Sequence, residues 1–193
     1  MAALERIGRL LPGPATNIHI EVSTSVIPET GTGGYTDPNT RYVTIWFDPG
    51  RGVAALHKTL GVWLAVTLAH EVDHSVRVQG GPGFGPTLLD NLISEGLSSA
   101  FDIEGEPTIT LPWTGALTAA REHALWERAR PLLGATDLYD QWFFGGGGVP
   151  FDAGFTIGYH IVRDYLARHP HDTAASIVHL TASTILTGSD YAP

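Results

Sequence analysis

The sequence predicts an α+β fold, a small amino-terminal sheet followed by a helical bundle. Two observations carry that expectation. Between about residues 15 and 50 the apolar positions alternate and are β-branched or aromatic, with turn-forming residues between the runs. Over residues 54–187 they recur at helical spacing instead, in segments bounded by Gly, Pro and capping residues.

Taken along the chain, "NIHIEV" (17–22) alternates and reads as a strand, and "RYVTIWF" (41–47) as another. "TGTGGYTDPNT" (30–40) between them carries turn residues and reads as a loop. "DPGRG" stops the second strand at Phe47. A mostly apolar helix is expected from Ala54 to Val78, ended by "GGPGFG". The next covers "TLLDNLISEGLSSAF" and should begin near Pro86, because proline lacks the N–H that a first-turn residue cannot use. "ALTAAREHALWERARPLL" follows as a helix. "DAGFTIGYHIVRDYLARH" should be capped by Asp152 and stopped by Pro170. "TAASIVHLTASTIL" completes the set, with Asp172 as its cap. "GGGG" (145–148) is followed by no Lys-Ser/Thr pair and so reads as a flexible loop, not a phosphate cradle.

At 193 residues the chain is expected to form one domain over 1–193, with enough length to bury a core without staples. It has no cysteine. Disulfides and thiolate sites are excluded, and any metal must be held by His and carboxylate. The net charge is −9, with Lys58 the single lysine and no basic run, which argues against nucleic acid as a partner. The apolar run around "GVWLAVTLA" is short for a bilayer, and "MAALERIGRLLPGPATN" lacks a secretory pattern. The expectation is a cytoplasmic protein with no membrane partner.

The chemistry concentrates in "VTLAHEVDHSVRVQG" (66–80). His70, Glu71 and His74 form an H-E-x-x-H pattern on an expected helix. Residues four apart share one face, so both imidazoles can reach a single ion, with Glu71 about a quarter turn round and placed to touch an attacking water. With this composition the pattern arises by chance in roughly 2% of chains, so its neighbours must weigh in. They are apolar, and charged groups are rarely buried unless paired or bound to metal. A third ligand is sought among the remaining His and acidic residues. Glu95 lies 21 residues after His74, on the side of Leu88, Asn91 and Leu92, across a turn that lets the two helices fold together. Asp73 and Asp102 are candidates for orienting the zinc histidines.

An H-E-x-x-H helix, a short connection and a second helix bearing Glu resemble the gluzincin (thermolysin-like) metallopeptidases. "ISEGLSSAF" and "DAGFTIGYHIVRDYL" are similar to segments of a bacterial family of predicted zinc-dependent proteases, and the likeness runs from about Gly34 to Leu166. The resemblance implies a zincin-like fold, one Zn2+ held by His70, His74 and Glu95, and a peptide or protein substrate. It also implies hydrolysis by a zinc-activated water with Glu71 as general base. Tyr159 matches a tyrosine of that family's "GYxxGYxIV" helix and is the expected donor to the substrate carbonyl, with His160 as the alternative. Where the family has its first aromatic as Tyr, this chain has Phe155; where many gluzincins have an acid four residues after the ligand Glu, it has Ser99. Two other function classes stand beside the peptidase. One is a zinc-stabilised binding or regulatory domain without turnover; the other is a metal-free helical interaction protein.

Overall fold

The computed structural model describes residues 2–192. Three strands, β1 (Asn17–Val22), β2 (Thr32–Thr36) and β3 (Tyr42–Phe47), form a mixed sheet in the order β1-β3-β2, with β1 parallel and β2 antiparallel to β3. β2 occupies part of the segment expected to be a loop. Its two glycines serve close packing and not a turn. A Cβ on Gly33 would lie 2.4 Å from the Trp46 indole, and one on Gly34 would lie 2.5 Å from the Glu71 side chain. β3 is central, and its Val43 and Ile45 are fully buried in the same cluster as Leu68 and Ala69.

A first helix, α1 (Ala2–Leu10), has no counterpart among the expected elements; its Ile7 joins the core. Beyond β3 the chain forms α2 (Val53–Lys58), a π turn (Thr59–Trp63) and α3 (Leu64–Gly80) without a break. The 28 residues of Val53–Gly80 are long and apolar enough, by length and composition alone, to cross a membrane, which the sequence reading had not anticipated. The second half of that helix instead buries Glu71, Asp73, His74 and Arg77 within the protein.

α4 (Leu88–Gly105) lies at the centre of the bundle, and only a few of its residues reach solvent. Thr87 caps it and Asp90 completes a capping box, so Pro86 precedes the cap instead of opening the first turn. α5 (Ala119–Ala129) gives way to a 3-10 turn at Arg130–Leu132, where Pro131 cannot continue the helix. The five-residue α6 (Tyr139–Phe143) was not expected either. α7 (Ala153–Arg168) follows the predicted bounds closely, but Asp152 stands at φ 63°, left-handed, and makes no capping bond. The last predicted helix is two: α8 (Ala174–Ile177), capped by Thr173, and α9 (Ala182–Thr187), capped by Thr181. Those two hydroxyls take the role assigned to Asp172.

α4 and α7 touch backbone to backbone. A Cβ on Gly96 would meet the Gly158 carbonyl oxygen at 2.3 Å, and one on Gly158 would meet that of Leu92 at 2.1 Å. This contact fixes α7 on a face of α4 different from the one that meets α3.

Candidate metal centre

His70 and His74 lie one turn apart on α3, with ring centroids 4.7 Å apart and planes nearly perpendicular. Glu95 projects from α4 between them. Its Oε2 lies 3.3 Å from His70 Nε2 and 3.5 Å from His74 Nε2. One donor atom from each of the three residues falls within 4.8 Å of the others, the span of a single ion's coordination sphere. Phe84, from the turn between the helices, packs edge-on to His74 at 5.0 Å.

Each imidazole is held from behind. His70 Nδ1 lies 3.0 Å from Asp102 Oδ2. His74 Nδ1 lies 3.1 Å from Ser98 Oγ, and Ser98 in turn donates to Asp73 Oδ1 at 2.8 Å. Because the Ser98 proton goes to Asp73, its oxygen accepts from His74 Nδ1–H. Protons placed on the two Nδ1 atoms leave both Nε2 lone pairs turned towards Glu95. Asp102 and Asp73 therefore serve one histidine each, the second through a serine.

The donor set fits a divalent cation. Burial pushes the Glu95 carboxyl up, but His74 and His70 beside it outweigh burial and hold it well below the usual carboxylate range. Burial lowers His70, yet Asp102 and Glu95 together raise it well above an ordinary histidine. Without a cation, His70 can satisfy both carboxylates only by carrying protons on both nitrogens. A divalent cation of zinc's preferences would take the place of that inner proton, on two imidazole nitrogens and one carboxylate oxygen.

Glu71 points another way. It is buried, and Thr36 Oγ1 lies 2.7 Å from its Oε2 and 2.8 Å from its own carbonyl oxygen. Gly34 closes over its Oε1 side. The general-base candidate is thus clamped against β2, and β2 is an edge strand. "GGYT" (33–36) therefore lies on a sheet edge, whereas "RYVTIWF" forms the central strand.

Tyr159, the expected carbonyl donor, is not among the residues that the structure brings together at His70, His74 and Glu95. Tyr159 lines a surface cavity of about 480 Å³ with Ala100, Ile103, Glu104 and Arg163. At about 100° per residue, those α4 positions lie roughly opposite Glu95, Ser98 and Asp102. Tyr159 thus lines a cavity on the side of α4 roughly opposite the residues that meet His70 and His74. His160 is engaged elsewhere, its Nδ1 2.8 Å from Glu122 Oε1. A tyrosine hydroxyl that does reach the centre is that of Tyr139, which donates to Glu95 Oε1 at 2.8 Å. Nothing in the sequence marked it: it sits on a five-residue helix 44 residues from Glu95.

A family model described as "Predicted Zn-dependent protease (DUF2268)" matches residues 52–187. No curated protein and no solved structure matches the chain.

Proposed function

The chain belongs to the family of predicted Zn-dependent proteases, and from that premise we propose that it is a gluzincin-like metallopeptidase with one zinc. The observation that supports this most is the meeting of His70, His74 and Glu95 beside a separately clamped Glu71. Zinc, when bound, would supply Lewis-acid polarisation of water and of the substrate carbonyl.

The protein's own residues do the rest. His70, His74 and Glu95 would hold the ion, with Asp102 and the Ser98–Asp73 pair fixing the ring orientations. Glu71 accepts one hydrogen bond from Thr36 on Oε2, which leaves Oε1 to take a proton from the attacking water and pass it to the leaving amine. The edge of β2 beside Glu71 offers main-chain donors and acceptors to an extended peptide, laying its carbonyls across the centre.

Glu71→Gln keeps size and hydrogen bonding but removes the proton acceptor. The variant should retain zinc and lose peptide hydrolysis by about 10²–10⁴-fold, on a substrate found by unbiased peptide-library digestion. In parallel, Glu95→Ala should lose zinc as His74→Ala does, while Glu104→Ala keeps it. Cleavage by Glu71→Gln at the wild-type rate would sink the mechanism. Zinc retention without any cleavage across the library would favour the binding domain instead.

A further inference from the structure

Glu95 has two oxygens, and the structure treats them differently. Oε2 faces the Nε2 atoms of His70 and His74, at 3.3 and 3.5 Å. Oε1 accepts the hydrogen bond from the Tyr139 hydroxyl at 2.8 Å. A carboxylate can meet a cation through one oxygen or both, and a donor held on one oxygen commits the other to the ion.

Tyr139 is itself fixed from several sides. Its ring stacks on Phe143 at 4.4 Å and 17°, and meets the edge of Phe144 at 5.7 Å. Phe143 is fully buried and packs edge-on to Phe155 of α7 at 4.8 Å. The α6 helix is therefore seated on α7 through aromatic rings, with the Tyr139 hydroxyl delivered to α4.

We propose that Tyr139 is a positioning residue that fixes Glu95 as a one-oxygen ligand, so that the metal affinity of the centre depends on the seating of α6. This rests on the metal-binding reading above.

The test is zinc affinity, measured by chelator competition on the full-length protein and independent of turnover. Tyr139→Phe keeps the aromatic stack and deletes only the hydroxyl. It should bind zinc about 10–100-fold more weakly, the usual cost of losing a group that orients a ligand. Tyr139→Leu, which also loses the stack, should be at least as weak, and Tyr159→Phe should match wild type. X-ray absorption on the zinc-loaded forms should find one carboxylate oxygen in wild type and a second, longer one in Tyr139→Phe. If Tyr139→Phe holds zinc as tightly as wild type while Tyr139→Leu does not, the ring matters only for packing and the inference is overturned. A wild type that binds no zinc would overturn the metal reading and this inference together; the Tyr139→Phe result overturns this inference alone.

Discussion

Asp102 Oδ2 lies 3.0 Å from His70 Nδ1, and Asp102 stands two helical turns beyond Glu95 on the same face of α4. One helix thus provides a metal-ligand candidate and the carboxylate that orients another. Asp102 is buried and its Oδ1 has no hydrogen-bond partner among the described residues, so little else there holds this carboxylate in place.

Asp102→Asn keeps the shape and an acceptor oxygen but removes the charge that favours His70 Nδ1–H. Zinc affinity should fall by about 10–100-fold, with the metal count per chain still one at saturating zinc. Ser98→Ala should weaken binding through His74 in the same way, since it cuts the connection to Asp73. Competition titration reads both. Unchanged affinity in Asp102→Asn would mean that helix packing alone orients His70.

The centre was legible in the sequence where it depends on helical spacing. His70 and His74 needed only the four-residue repeat, and Glu95 needed only a carboxylate in an apolar helix one turn connection away. Glu71 followed from the same motif, although the clamp by Thr36 did not, because Thr36 lies in a strand whose glycines mimic loop composition. Tyr139 was out of reach for a different reason. A five-residue helix in an aromatic and glycine-rich stretch has no period to detect, and its contact with Glu95 is purely tertiary. Tyr159 rests on resemblance alone, and a motif match does not say which helix face a side chain lines once α7 packs on α4; it lines a cavity with Ala100, Ile103 and Glu104. The split of the last helix at Thr181 reflects a cap hidden among good helix-compatible residues.

A second acidic network lies far from the centre and sets a pH response. Glu122 of α5 is buried and pairs with His160 Nδ1 at 2.8 Å, and it accepts from the Tyr191 hydroxyl at 2.6 Å. Burial pushes its carboxyl up, but the bonds to His160 and Tyr191 outweigh burial and leave it below the ordinary value of 4.5. A carboxyl depressed on folding adds stability that is fully present above its unfolded pKa and is lost as pH falls through the folded one. Glu122→Gln should therefore destabilise the protein by about 1–3 kcal/mol near neutrality. The gap in Tm between variant and wild type should narrow progressively as pH drops below the ordinary value of 4.5. A gap that stays constant through that acid range would show that Glu122 contributes only by packing.

Gly34 offers a way to move Glu71 without touching a ligand. A Cβ there would lie 2.5 Å from both Cγ and Oε1 of Glu71, while Thr36 holds Oε2. A Glu71 side chain that swung clear would give up the Thr36 bond to its Oε2. Gly34→Ala should then cost about 1–3 kcal/mol of stability, as overpacking does, yet leave zinc affinity unchanged. Hydrolysis should fall by about 10²-fold or more, mainly in kcat, because a displaced base no longer meets the water. Gly33→Ala is the matched comparison: its Cβ would strike the Trp46 indole at 2.4 Å, a clash of the same kind in the same strand with no contact to Glu71. It should lose stability and keep kcat in the folded fraction. If the two variants lose kcat equally, the sheet as a whole sets the activity and the Gly34–Glu71 contact has no separate part. If Gly34→Ala alone is impaired while still holding zinc, the position of the Glu71 carboxylate governs the rate.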